Sequence, residues 1–531
     1  MELTGRELLL RTLLLRRLLR RHVLGPEEET VGVFLPPCVP NVLVNAALTL
    51  DRRVVVNLNY TLSAELLNQA CLAPAGIRHV ITSQKMLERF PFPLDAEMVL
   101  LEQLREKLTP AEKLLAYLES RWLPTTLLER LLGLHRIQPE DLMTIIFTSG
   151  STGRPKGVML THGNIGSNIH AFQQAISFRS TDVLVGVLPF FHSFGYTVTL
   201  WTVLSLAPKG IYHTSPLEPR AIGDLCRKHG ATILISTPTF LRNYLRRCEP
   251  EDFQTLDFII LGAEAMPKDL ADAFQQKFGV RPREGYGTTE LSPVVSVNIP
   301  PGREGPGREP AIREGTVGRP LPGIWAKVLD EQTGEELPTG RQGMLWIRGP
   351  NVMKGYLNQP EQTAEVLQNG WYKTGDLAVL DSEGFIRITG RRSRFSKIGG
   401  EMVPHLRIEE ALRQVLHLDE EDALRLTVTG SPHPTKGEQI VVLHTGLPKP
   451  PEDICRELAA AGLPPLWIPS PQNFRQVAAI PILATGKLDL RAINQLAQEL
   501  FSSPGIRSTA ESNGAASSGE NGACPPRIGE M

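Results

Sequence analysis

One stretch constrains this chain more than any other: Thr148 to Val158, TSGSTGRPKGV, which follows the apolar, β-branched run Met143-Thr144-Ile145-Ile146-Phe147. The run predicts a buried strand. A strand opening into a loop that holds Gly150, Gly153 and Gly157 can turn its backbone N–H groups onto one oxygen-rich anion, where larger side chains would obstruct them. The hydroxyls of Ser149, Ser151 and Thr152 and the ammonium of Lys156 add donors, so the ligand expected is a polyphosphate. A Walker loop is disfavoured by spacing, because Pro155 precedes Lys156 and Gly157 follows it. A Gly/Ser/Thr cluster also reads as a plain surface linker. The loop alone leaves both readings open.

TSGSTGRPKG resembles the phosphate-binding loop of the adenylate-forming superfamily, which gathers acyl-CoA and acyl-carrier-protein synthetases, peptide-synthetase adenylation domains and luciferases. The resemblance implies an α/β fold: a large N-terminal adenylate-forming domain of sheets flanked by helices over 1–390, a hinge at 391–396 and a smaller, mobile α+β domain over 397–501. It implies ATP and Mg²⁺ as cofactors. Thr148, Ser149, Gly150, Ser151, Thr152, Gly153 and Lys156 would surround the phosphates, with Thr148 also toward the metal.

At 531 residues the chain exceeds one ordinary core, so two or more domains are expected. A net charge of −1 gives no global field for nucleic acid. The six cysteines are scattered without a metal-binding spacing, which predicts reduced thiols and a cytoplasmic setting. The longest apolar run, Val31 to Leu50, is broken by Pro36, Pro37 and Pro40, so no membrane span is expected. Neither does the N-terminus have a signal-peptide layout.

Arg6 to Arg21 predicts a helix with Arg6, Arg16, Arg17, Arg20 and Arg21 on one side and Leu8, Leu15, Leu18 and Leu19 opposite. Such a helix either packs its leucines on the domain or lies on the inner face of an anionic membrane. ELTGREL resembles the first helix of the superfamily, which supports packing; residues that usually precede that helix are missing, as in a truncated start or a piece of a larger fusion. Thr30 to Val80 alternates strand runs with helical spacing and predicts βαβ units. The Leu-rich insert at 103–134, with Pro110 and Pro124 suited to helix starts, reads as a helical pair packed on the domain or as an interfacial surface.

Further motifs follow in the superfamily's order. PFFHSFG at Pro189 to Gly195 resembles a segment whose histidine, here His192, sits near the substrate carboxylate; a lone His among aromatics is also a common structural residue. Gly262, Ala263 and Glu264 open a turn, GAEAMP, that resembles one flanking adenine and acyl group. EGYGTTE at Glu284 to Glu290 joins an aromatic face, a close-approach glycine, hydroxyls and a carboxylate. By resemblance Tyr286 stacks on adenine, Gly287 and Thr288 flank the nucleotide, Thr289 contacts the α-phosphate and Glu290 helps hold Mg²⁺. WYKTGD at Trp371 to Asp376 resembles the ribose motif and makes Asp376 the ribose ligand. Leu377 to Ile388 predicts a hairpin about Asp381 to Gly384.

GRRSRFSKIGGE from Gly390 resembles the hinge segment, in which Arg391 contacts nucleotide; the family commonly has Asp or Lys where this chain has Ser393 and Arg394. Beyond it a helix is expected at Leu406 to Leu416, with strands at Ala423 to Thr429 and Gln439 to His444. IPILATGKLD resembles the family's closing motif and makes Lys487 its catalytic lysine. From Ser502 the tail is Ser/Gly/Asn/Ala-rich and too poor in apolar residues to fold.

The activity implied is activation of a carboxylate by MgATP to acyl-AMP, then transfer to a thiol. RFSKIGGEMVPH and LWIPSP are similar to the acyl-ACP synthetase/2-acylglycerophosphoethanolamine acyltransferase branch, which implies a long-chain fatty acid and acyl carrier protein or CoA as partners. A CoA ligase for another acid and a luciferase-like oxidoreductase share the adenylation motifs. A non-catalytic nucleotide-binding protein is disfavoured by the intact Glu290, Asp376 and Lys487.

Overall fold

The computed structural model describes residues 2–148, 155–206, 208–391, 394–398, 401–418, 425–433, 437–482 and 488–502. Two seven-stranded sheets dominate. In the first, Val54–Asn57, Thr30–Val33, His79–Thr82 and Glu97–Leu100 run parallel in that spatial order, which bears out the βαβ reading of 30–80. Leu142–Thr148 joins them in parallel, and Lys156–Thr161 then Gly355–Tyr356 add antiparallel edges. The second sheet carries Phe258–Leu261, Ile233–Ser236, Val183–Gly186 and Lys209–Tyr212 in parallel, with Arg283–Gly287 on the other side of Phe258–Leu261. Strands such as Val54–Asn57 and Phe258–Leu261 are buried at every position, as sheets covered on both faces require.

A third, antiparallel sheet is built from Trp325–Leu329, Gln342–Arg348, Trp371–Leu380 and their neighbours. Its Trp371–Leu380 and Ile386–Arg391 strands form the expected hairpin, with the backbone N–H groups of Glu383 and Phe385 donating to Asp381 Oδ1. The fourth sheet, from Phe395 to Gln476, has its own core of Val403, Ile408, Leu412, Val428 and Val442. The expected helix there is His405–Val415, and the expected strands are Leu426–His433 and Gly437–His444, residues 419–424 lying outside the described part. A last helix ends at Ser502, and the tail beyond it is also outside.

The N-terminal helix is Gly5–His22, capped by Thr4 and Glu7, and it packs through Leu13, Leu18 and Leu19. Its arginines are engaged within the molecule: Arg16 and Arg20 with Asp51, Arg17 with Glu119, Arg21 with Glu112. The buried leucines follow the packing reading of this helix, and the arginine partners were invisible to helical periodicity because the carboxylates come from elsewhere in the chain. The insert forms the helices Leu101–Glu106, Pro110–Trp122 and Thr125–Leu132, with Pro110 at a helix start as expected and Pro124 just before one.

Candidate active site

A cavity of about 2780 Å³ opens where the sheets meet, several times the volume one small ligand needs. Thr148, Lys156, His192, Gly262, Ala263, Glu264, Tyr286, Gly287, Thr288, Thr289 and Glu290 all line it. Residues spread over more than a hundred positions of sequence thus face one space.

Thr148 and Lys156, on either side of residues 149–154, are register partners at the ends of two antiparallel strands. A strand rather than a helix follows, in keeping with the exclusion of a Walker loop. Ser149, Gly150, Ser151, Thr152 and Gly153 lie outside the described residues. Lys156 holds its ammonium 5.0 Å from the centre of the Tyr356 ring.

The Tyr356 hydroxyl donates to Glu290 Oε1 at 2.9 Å. Burial first, and the Glu290 carboxylate second, push that hydroxyl above its ordinary range, so it stays a donor at neutral pH. Tyr372 is shifted the same way, again by burial before Glu290. Neither tyrosine was singled out by sequence. Tyr356 sits in GPNVMKGYLNQ, and its role depends on the pairing of Gly355–Tyr356 with Val158 and Met159.

Gly287 is fixed by sterics: a Cβ there would lie 1.9 Å from the Pro293 carbonyl oxygen. The adjacent Tyr286 faces the cavity and donates its hydroxyl to Asp376 Oδ2. Asp376 is 2% exposed and does not line the cavity wall; it stands behind Tyr286, next to the left-handed Gly375. Arg391 is the backbone register partner of Asp376.

Ser193 and Thr289 hydroxyls lie 3.1 Å apart and tie the PFFHSFG turn to the EGYGTTE turn. His192 is half-buried, its ring centre 4.6 Å from that of Phe191. In the GAEAMP turn Ala263 takes a left-handed φ of 75°, Glu264 accepts from Thr239 at 2.8 Å, and Met266 N–H donates to Glu284. Burial holds the Glu284 carboxyl above its usual range.

An apolar wall sequence reasoning did not find is formed by Leu62, Met86, Tyr60, Phe90 and Phe191, with the Tyr60 ring centre 4.8 Å from Phe191 and 5.4 Å from Phe90. Cys38 also lines the cavity, but burial pushes its thiol to about 11, so it is protonated near neutral pH and unsuited to act as a nucleophile.

The small domain reaches the same space. Ile482 and Leu488, paired in a short antiparallel bridge, both line the cavity; Lys487 lies outside the described residues. In the segment expected to be the hinge, Arg394 is 5% exposed and bonded to Glu409 and the Val428 carbonyl, while Glu409 accepts from Val428 N–H. The residue that departs from the family pattern is therefore locked into the small domain.

Among the described residues no cluster of three His, Cys, Asp or Glu could hold a metal by itself. A single carboxylate, Glu290, beside a phosphate-loop strand fits a Mg²⁺ that arrives bound to substrate phosphates.

Residues 1–357 match the family model described as AMP-binding enzyme. The long-chain-fatty-acid–CoA ligase of Bacillus subtilis is 34% identical over 373 residues, 67% of this chain and 62% of that protein. The ligase of the same name from Escherichia coli O6:H1 is 31% identical over 312 residues, 57% of this chain and 53% of that one. The chain thus spans less than two thirds of these relatives' length. The crystal structure of ATP-bound MatB from Rhodopseudomonas palustris superposes with a TM-score of 0.75 at 25% identity, covering 93% of each chain. That likeness extends through the small domain, past the end of the family match.

Proposed function

The chain belongs to the AMP-binding enzyme family, and from that premise we propose that it activates a long-chain fatty acid with ATP and passes the acyl group to a thiol. One observation carries the reading. The phosphate-loop strand ends, the Glu290–Tyr356 pair and Tyr286, with Asp376 bonded behind it, converge on a single cavity that also has an apolar wall.

In the proposed reaction a carboxylate oxygen attacks the α-phosphorus of ATP, the bond to the β-phosphate oxygen breaks, and pyrophosphate leaves. A thiolate then attacks the acyl carbonyl and AMP departs with the bonding pair. Such transfers need positioning and charge neutralisation more than covalent help from the protein. Tyr286 would present its ring to the base while its hydroxyl holds Asp376 for the ribose. Lys156 and the loop residues 149–153 would hold the phosphates, Thr289 the α-phosphate, and Lys487 the developing charge. Glu290 and Thr148 would hold Mg²⁺, which supplies charge neutralisation when bound. Arg391, opposite Asp376 in the hairpin, would contact the nucleotide from the hinge, and His192 with Gly262, Ala263 and Glu264 would border the acid. Rotation of the small domain about 391–396 would exchange Lys487 for the thiol between the two half-reactions.

The names of the relatives support CoA as the acceptor; the RFSKIGGEMVPH and LWIPSP segments support acyl carrier protein. Incubating the protein with ATP, palmitate and either CoA or holo acyl carrier protein, and measuring each thioester, decides between them. Oxygen uptake without thioester would sink both in favour of a luciferase-like oxidation.

A further inference from the structure

Most of the exposed large apolar side chains among the described residues fall in the two insert helices, Pro110–Trp122 and Thr125–Leu132. Leu114, Leu118 and Trp122, spaced at every fourth residue, form one line along the first helix at 60%, 45% and 74% exposure, with Leu115 beside them. Leu127 and Leu131 continue the surface on the second helix at 51% and 63%. Large apolar side chains left exposed at this density on a folded surface mark an interaction site.

The opposite face of the same pair is anchored. Ala116, Leu128 and Leu132 pack with Leu13 of the N-terminal helix, and the carboxylates of Glu112 and Glu119, 12% and 10% exposed, are paired with Arg21 and Arg17. These pairs draw the acidic groups of the first helix to the inner side. Lys113 and Arg121 remain exposed beside the leucines, and Arg130 is exposed on the second helix, against Glu129 alone. The outward surface is thus apolar, positively charged and supplied with Tyr117 and Trp122, rings suited to a boundary between water and hydrocarbon. No described helix is long and apolar enough to cross a membrane.

We propose that this helical pair docks the protein on the surface of an anionic lipid bilayer. Charge complementarity selects that occupant: the carboxylates of the first helix are withdrawn, and Lys113, Arg121 and Arg130 outnumber the one exposed acid of the pair, Glu129. Leu101, Glu102 and Arg105 of the short helix that leads into the pair line the catalytic cavity. On the fatty-acid reading above, on which this last point rests, an acid leaving the bilayer enters the cavity along that wall. The docking itself does not depend on the substrate.

The test is co-sedimentation of the full chain with sucrose-loaded vesicles of phosphatidylcholine containing phosphatidylglycerol, and of phosphatidylcholine alone. The wild type is expected to pellet with the anionic vesicles and less with the neutral ones. The Leu114→Ser/Leu118→Ser/Trp122→Ser variant should lose partitioning at least about tenfold, while far-UV circular dichroism and octanoate-dependent pyrophosphate release stay unchanged. Lys113→Glu/Arg121→Glu should weaken binding to anionic vesicles only. A wild type that stays in the supernatant, or a triple variant that pellets as well as the wild type, overturns the proposal. So does a lipid-independent dimer that the triple variant abolishes in sedimentation velocity, because a second copy then covers the face. Pelleting without acid-dependent pyrophosphate release would instead sink the catalytic reading and leave docking standing.

Discussion

The Tyr356 hydroxyl donates to Glu290 Oε1 at 2.9 Å, linking an edge strand of the first sheet to the EGYGTTE turn. Lys156 approaches the face of the same tyrosine, so a cation, a ring and a carboxylate stand in series along the cavity wall. This fixes where the carboxylate points before any ligand arrives. Glu290→Gln should lower the rate of pyrophosphate release on the order of 10²–10³-fold, the usual cost of one preorganised charge contact. Tyr356→Phe should cost less, roughly tenfold to a hundredfold. Because both act on one carboxylate, the double variant should be little worse than Glu290→Gln. Additive losses would show that Tyr356 acts elsewhere.

The Tyr286–Asp376 bond predicts a second pattern. Asp376→Asn should raise KM for ATP by about tenfold or more, as a lost charged hydrogen bond would, with a smaller effect on kcat. Tyr286→Phe keeps the ring and should raise KM less, whereas Tyr286→Ala should exceed it. Initial rates across ATP concentration separate these cases, and equal effects of Phe and Ala would contradict a stacking role.

Part of the cavity lining was legible in sequence because the motifs are contiguous: EGYGTTE places Tyr286 to Glu290 and WYKTGD places Tyr372 to Gly375 on its wall, and the alternation in 30–80 disclosed the parallel sheet. Long-range partners were not legible. Tyr356 matters through a strand pairing across about two hundred residues. The arginines of Gly5–His22 read as a free basic stripe because Asp51, Glu112 and Glu119, which pair with four of them, sit elsewhere in the chain. The burial of Arg394 against Glu409 was equally illegible, because the two are brought together only by the fold.

His405 gives a pH prediction for the small domain. Its ring nitrogen lies 2.8 Å from Ser396 Oγ; burial first, then Arg394, hold its pKa down at about 3 from an ordinary 6.5. The unfolded chain therefore takes up this proton near 6.5 while the native one does not until about 3. Stability from this group is complete above the unfolded value and falls as pH drops from 6.5 toward 3, by up to about 1.4 kcal/mol per pH unit. His405→Gln should flatten that part of the acid limb in denaturant titrations run across the window. An unchanged slope would mean that His405 is protonated in the native state.

Lys487→Ala is expected to impair acyl-AMP formation strongly, on the order of 10²–10³-fold, yet spare thioester formation from preformed acyl-AMP. Single-turnover assays of each half-reaction read this directly. Equal losses in both would refute a role confined to adenylation.

The central claim is best tested by pyrophosphate release from ATP, measured with acids from acetate to palmitate. The account predicts acid-dependent release that rises with chain length, with acyl-AMP accumulating when no thiol is present. ATP binding without release for any acid would contradict it.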